Sequence, residues 1–108
     1  GYAASLREQL LTEKIHALAD ALRVQNCAAI TSLHDDLSRN GFWQAAQAAI
    51  RELDTAEHTG AKTWAQTWCA DAKARALAAS GYPDALNFKK AGISPKEYAA
   101  MTDINNYL

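Results

Sequence analysis

The chain has 108 residues, of which 49% are hydrophobic and 21% are charged, and its net charge is -1. This length suits one domain with its own core, and the hydrophobic fraction excludes an intrinsically disordered chain. The net charge excludes a polyanion-seeking field over the whole molecule, and the scarcity of glycine (5) and proline (2) favours helices.

The N-terminal segment predicts a long amphipathic helix. Apolar residues recur at three- and four-residue steps from Leu6 to Leu22, which places them on one face of a helix. Ser5 and Glu8 have the spacing of a capping box, in which each side chain satisfies a backbone N–H at the helix start. The pattern therefore predicts a helix over residues 5–24 with one continuous apolar stripe.

Two further helices are predicted before residue 60. Asn26 is a favourable N-cap, and the helix that it begins ends at Asn40-Gly41, since these residue types tolerate the left-handed conformation after a helix. A third helix is predicted to begin at Phe42 and to end before Gly60. The connections between these helices are short, which favours antiparallel neighbours.

The C-terminal part predicts one long helix followed by two short ones. The long helix is expected over residues 61–79. After Pro83, a first short helix is expected to end at Gly92, and Ser94-Pro95 is expected to begin a second one. No strand pattern or repeat occurs in the sequence.

These elements predict an all-α fold: a four-helix up-and-down bundle at residues 1–81 with a short two-helix appendage and tail at 82–108. The whole chain is expected to form one domain, and its start at Gly1 rather than Met suggests a piece of a longer chain. No apolar run is long enough to span a membrane, so no membrane partner is expected, and a cytoplasmic location is the default expectation.

The two cysteines, Cys27 and Cys69, are far apart in sequence. The preferred interpretation is a pair of buried free thiols that pack as small apolar groups. A disulfide between two helices in an oxidising compartment is the alternative. Neither cysteine has the neighbouring spacing of a zinc site, and no cofactor is expected.

Two histidine motifs are candidates for metal or catalytic sites. Glu13-x-x-His16 has the spacing of a carboxylate di-iron helix, but a second such pair is missing. His34 stands beside Asp35 and Asp36, and the pattern indicates a solvated helix face. Since no nucleophile motif or phosphate loop occurs either, the chain is expected not to be an enzyme.

The aromatic residues are the leading candidates for partner binding. Trp64 and Trp68 lie one turn apart on one predicted helix face, and Trp43 follows Phe42, so those two neighbouring side chains cannot both be central in one core. Tryptophan and tyrosine are enriched in binding hot spots. The predicted partner-binding residues are Trp43, Trp64, Trp68 and Tyr98.

The segment 84–102 has the outline of a DNA-binding helix-turn-helix. Its lysines would contact phosphates: Lys89, Lys90 and Lys96. Two features weigh against DNA recognition. Phe88 is bulky where helix-turn-helix motifs place a small residue, and Glu97 would face the phosphates with the wrong charge.

Two functions follow as hypotheses. The first is a non-catalytic helical protein-interaction domain, such as an adaptor, an inhibitor or a module of a larger protein, whose partner is another protein. The alternative is a nucleic-acid-associated accessory protein that uses segment 84–102 and the more basic C-terminal half.

Overall fold

The computed structural model describes the backbone of residues 2–108 and the side chains of residues 4–108. Over this range the chain is all-α and has no strand, which confirms the predicted fold class. None of the described helices is long and apolar enough to cross a membrane. The described range holds five α-helices, with a 3-10 turn at Gln44–Ala46 before the third: α1 (Tyr2–Arg23), α2 (Cys27–Arg39), α3 (Gln47–Arg51), α4 (Thr55–Ser80) and α5 (Pro95–Tyr107).

Two helices begin at the caps that the sequence predicts. The Asn26 side chain accepts a hydrogen bond from the backbone N–H of Ala29 at 3.1 Å, so it is the N-cap of α2. The Ser94 hydroxyl accepts one from the N–H of Glu97 at 3.4 Å, with Pro95 in the first turn of α5. Both caps satisfy N–H groups that have no partner within their helix.

The start of α1 differs from the prediction. The helix already begins at Tyr2, so Ser5 and Glu8 lie inside it and do not cap its start. A capping-box spacing within a longer run of helix-forming residues is therefore not decisive, because alanine at positions 3 and 4 extends the helix towards the N-terminus.

The start of α4 also differs, and it shortens the predicted third helix. Asp54 and Glu57 form a reciprocal capping box, with hydrogen bonds of 2.8 and 3.1 Å. The helix that they begin runs through Gly60, where the sequence predicted a break. One glycine inside a helix costs only about 1 kcal/mol relative to alanine, which a 26-residue helix tolerates. Only the five residues of α3 remain of the predicted third helix.

The predicted two-helix appendage is replaced by a loop and one core helix. Residues 82–93 contain a single helical turn, which Asn87 caps and Gly92 ends with a φ of +75°. A single turn has too few hydrogen bonds to stand as a helix of its own. In α5, by contrast, Met101 and Ile104 have no exposed surface, so this helix is part of the hydrophobic core.

The helices pack in the order α1, α2, α5 and α4, and α3 lies against α1. Thus α5 lies between α2 and α4 and takes the place that the sequence assigned to the third helix. The largest side chains with almost no exposed surface come from α1, α2 and α5, while α4 contributes buried alanines; the largest are Leu18, Leu22, Ile30, Leu37, Met101 and Ile104.

The molecule is long and flat. Its principal dimensions are 54 × 31 × 17 Å, and its radius of gyration is 15.4 Å. A compact domain of this length has a radius of gyration of about 13 Å. The excess indicates that parts of the long helices extend beyond their neighbours.

Candidate protein-binding groove

The N-terminal half of α1 has no helix of matching length beside it. The two helices connected by residues 24–26 have 22 residues in α1 and 13 in α2. At about 1.5 Å per residue, about nine residues of α1 therefore extend past the end of α2. In agreement with this, Leu11, with 5% of its surface exposed, is the first buried side chain among those that the structure describes in α1, from residue 4 onward.

The predicted apolar stripe is buried from Leu11 onward only in part, and its N-terminal end is exposed. Leu6 is 44% exposed and Leu10 is 50% exposed, one helical turn apart on α1. Residues four apart in a helix are neighbours on the same face, so the two leucines form one exposed apolar surface.

A groove lies beside these leucines, between α1 and the turn that follows α2. It has a volume of about 330 Å³, at the lower end of the roughly 300–1,000 Å³ typical of ligand pockets. Three leucines give it an apolar wall, and its other lining groups are polar or positively charged. Hereafter this feature is the α1 groove, lined by Leu6, Arg7, Leu10, Leu11, Lys14 and Asn40.

Arg7 connects the groove to the turn after α2. Its guanidinium lies over the ring of Phe42, 5.0 Å from the ring centroid, and its Nη2 donates to the carbonyl of Asn40 at 3.4 Å. Both contacts hold the side chain at the rim of the groove. Among the described side chains, no carboxylate lies within 4 Å of Arg7.

Lys14, at the other end of the groove, differs from Arg7 because its charge is neutralised. Its Nζ lies 2.6 Å from Oδ2 of Asp36 on α2. This hydrogen bond from Lys14 lowers the pKa of the Asp36 carboxyl, and Arg39 lowers it further. The pair also fixes α1 against α2, since it joins residues 22 positions apart.

A second depression is larger but less apolar. It has a volume of about 460 Å³ and lies between α3 and the C-terminal end of α5. A single aliphatic side chain, Ile50, contributes to its lining, and the remaining lining groups are polar or aromatic: Gln47, Arg51, Asn106 and Tyr107. It therefore offers less apolar surface to a partner than the α1 groove does.

His34 is not on a solvated face, contrary to the prediction from its acidic neighbours. Only 13% of its side chain is exposed, and its Nε2 lies 2.7 Å from Oδ2 of Asp103 on α5. Trp43 packs edge-on against the imidazole, 4.5 Å between ring centroids, and also contacts Tyr107 at 5.6 Å. This cluster joins α2, α5 and the segment before α3.

The predicted partner-binding aromatics make internal contacts. Trp64 and Trp68 are half-buried on α4 and pack against the hydrophobic core, as Trp43 does. Tyr98 stacks on Phe88, with 4.3 Å between the ring centroids. These side chains therefore contact different elements, and a smaller fraction of each is exposed than of Leu6 or Leu10.

The three lysines proposed for phosphate contacts are exposed, but they do not lie on a freestanding recognition helix. Lys89 and Lys90 belong to the single helical turn, and Lys96 lies in the first turn of α5, 3.8 Å from Asp35. Because α5 packs against both α2 and α4, it has little free face to insert into a DNA groove. Segment 84–102 is therefore not a pair of helices.

Both cysteines are free thiols and are half-buried. Burial raises the pKa of the Cys27 thiol to about 12, and the carboxylate of Glu97 adds to this shift. The thiol donates a hydrogen bond to Glu97 Oε1 at 3.0 Å. Burial also raises the pKa of Cys69. Neither thiol has the lowered pKa of a reactive cysteine.

The other candidate metal motif is on the surface. His16 lies 3.2 Å from Glu52, with 62% and 37% of the two side chains exposed, and Glu13 points to solvent. Within the described part of the chain, no group of three or more histidine, cysteine or acidic side chains could hold a metal ion.

Comparison of the chain with protein-family models, with curated proteins and with solved structures finds no match. Function is therefore inferred from the surface of this chain. Leu6, Arg7 and Leu10, which line the α1 groove, are not among the residues that the sequence predicted for partner binding. The signal that could have found them is the difference in length between the first two predicted helices.

Proposed function

We propose that this chain is a non-catalytic protein-interaction domain that binds its partner through the α1 groove. The observation that carries the proposal is the exposure of Leu6 and Leu10, side by side on the end of α1 that extends past α2. Exposed apolar residues that adjoin one another at a groove, unlike single ones, mark interaction sites.

Leu6 and Leu10 would supply part of the free energy of binding, and further contacts along the groove would supply the rest. Full burial of a leucine side chain contributes about 1.5–3 kcal/mol, so the exposed halves of Leu6 and Leu10 hold about 1 kcal/mol each. The chain also exposes more surface than a compact monomer. Its solvent-accessible surface is 6452 Å², against roughly 5,900 Å² expected for a compact monomer of this mass.

The predicted aromatic residues do not line the α1 groove, but they hold neighbouring segments in place. Trp43 contacts His34 and Tyr107, and these contacts hold the segment that contains Phe42 against α2 and α5. Phe42 in turn lies under Arg7 at the rim of the α1 groove. The role of Trp43 in binding would therefore be to position the groove wall.

Affinity capture from a nuclease-treated extract of the source cells tests the proposal. The bait is the wild-type chain, Leu10→Glu or Val24→Glu. Val24 is 73% exposed beyond the end of α1, so Val24→Glu is a matched control. Proteins that bind through the groove are retained by wild type and by Val24→Glu and are lost with Leu10→Glu. Equal capture by all three baits would contradict the proposal.

A further inference from the structure

We infer that the occupant of the α1 groove is an amphipathic helix with carboxylates beside its apolar anchors. This inference rests on the proposed function and names the chemistry of the partner. It follows from three properties of the groove: its apolar wall, its uncompensated positive charge and the length of α1 that lacks a neighbour.

The apolar wall of the α1 groove determines the spacing of the apolar residues on the partner. Leu6, Leu10 and Leu11 face the groove from successive turns of α1. A partner helix that lies along α1 presents its own apolar residues at three- and four-residue spacing, so that its side chains fit between these leucines.

The part of α1 that extends past α2 indicates that the partner is a helix. In the C-terminal half of α1, α2 packs along the helix, and α2 ends in a turn in which the N–H groups of Gly41 and Phe42 donate to Ser38 and Leu37. A partner helix can occupy the position beyond that turn and continue along α1 where α2 stops. The part of α1 that extends past α2, about nine residues, is about 13 Å long, which two to three turns of helix span.

The charge determines the groups beside the anchors. The groove lining contains Arg7 and Lys14 and no carboxylate. Asp36 neutralises Lys14, whereas Arg7 is held over Phe42 with no carboxylate nearby among the described side chains. A guanidinium offers five N–H donors in a planar fork, which fits a carboxylate in a two-point contact.

The same charges disfavour a second copy of this chain as the occupant. In a two-fold dimer the same surface is used by both copies, so two groove linings would face each other. Asp36 neutralises Lys14 in each lining, but Arg7 has no carboxylate within 4 Å among the described side chains, so the Arg7 guanidinium of one copy would face that of the other. A partner with acidic flanks meets the groove with opposite charges and avoids this repulsion.

Selection from a phage-displayed library of amphipathic helical peptides tests the inference. The apolar stripe of the peptides is fixed, and the flanking positions are randomised. The targets are wild type, Arg7→Glu, Arg7→Gln, Leu10→Glu and the control Arg51→Glu, which removes another exposed arginine from α3. Thermal unfolding of each variant checks that the fold is intact.

We expect peptides selected on wild type and on Arg51→Glu to be rich in Asp and Glu at the flanks. These peptides should bind Arg7→Glu and Arg7→Gln about tenfold more weakly or worse, the value expected for loss of one charge-assisted hydrogen bond. Selection on Arg7→Glu should instead favour Lys and Arg.

Two results would overturn the inference while leaving the groove as the binding site. One is selection of the same flanks on wild type and Arg7→Glu, with binding lost on Leu10→Glu. The other is self-association of wild type in sedimentation that Leu10→Glu abolishes, since the occupant would then be a second copy. If no selected peptide depends on Leu10, the proposed function fails as well.

Discussion

The imidazole Nε2 of His34 lies 2.7 Å from Oδ2 of Asp103, and this hydrogen bond joins α2 to α5 across 69 positions of the sequence. The imidazole is 13% exposed, and Trp43 covers one edge of it. The pair therefore stabilises the placement of α5 in the core, where the sequence predicted a short two-helix appendage.

Replacement of His34 by alanine should lower the free energy of unfolding by about 1–3 kcal/mol, because it removes a largely buried hydrogen bond and an aromatic contact. His16→Ala is the control. That histidine is 62% exposed and pairs with Glu52 at the surface, so the loss should be within about 1 kcal/mol. Urea denaturation measures both, and a His34–Asp103 double-mutant cycle without coupling energy would contradict the assignment.

The border between the covered and uncovered parts of α1 lies between two adjacent leucines. Leu11→Ala should cost about 2–4 kcal/mol of unfolding free energy, because Leu11 is 5% exposed and its removal leaves a cavity. Leu10→Ala should cost less than about 1 kcal/mol, because half of that side chain is exposed. Thermal or urea denaturation of the two variants compares them directly, and equal losses would contradict the proposed exposure of the α1 end.

Gln25 ends α1 in a conformation that favours glycine. Its φ is +56°, while glycine occupies the corresponding positions after α2, with Gly41 at +73°, and after α4, with Gly81 at +75°. A left-handed residue with a side chain costs roughly 1 kcal/mol, so Gln25→Gly should stabilise the fold by up to about 1 kcal/mol.

Gly41→Ala is the control for Gln25→Gly, because it adds a side chain at a left-handed position where Gln25→Gly removes one. An added Cβ at Gly41 would meet no atom within 4 Å, so any loss of stability reports on the backbone conformation alone. Thermal unfolding should show a higher Tm for Gln25→Gly and a lower Tm for Gly41→Ala. A lower Tm for Gln25→Gly would show that its side chain makes a stabilising contact.

The Cys27 thiol should resist alkylation in the folded protein. Its pKa is raised from an ordinary value of 9.0 to about 12, chiefly by burial, so little thiolate forms at pH 9–10. In the unfolded chain the thiol ionises in that range, and the folded state then binds more protons. Stability from this group is therefore complete below about pH 9 and decreases as the pH rises towards 12.

The measurement is iodoacetamide labelling in a Cys69→Ser background, with and without urea. Labelling in the native state should be much slower than in urea at pH 9. Glu97→Gln should accelerate it only in part, because burial is the larger cause of the shift. Fast native labelling would contradict the buried, protonated thiol.

The parts of the fold that depend on local chemistry could be predicted from the sequence. Asn26 and Ser94 begin α2 and α5 as predicted, because a cap depends on residues within one turn. The helix end predicted before Gly60 is wrong, because the capping box at Asp54 and the length of α4 outweigh the cost of one glycine.

The parts that depend on distant contacts could not be predicted. The stripe from Leu6 to Leu22 identifies the apolar face of α1, but periodicity does not tell whether a neighbouring helix covers its whole length. Likewise His34 has acidic neighbours in sequence, whereas its partner Asp103 comes from a helix that was expected to lie outside the bundle.

Photo-cross-linking from position 10 tests the central claim most directly. Benzoylphenylalanine replaces Leu10 in one variant and Val24 in a second, and each is irradiated in the nuclease-treated extract. If the α1 groove binds a partner, position 10 should give a discrete adduct with another protein and position 24 should give none. Absence of an adduct at position 10, or the same adducts from both positions, would contradict a partner-binding site at the α1 groove.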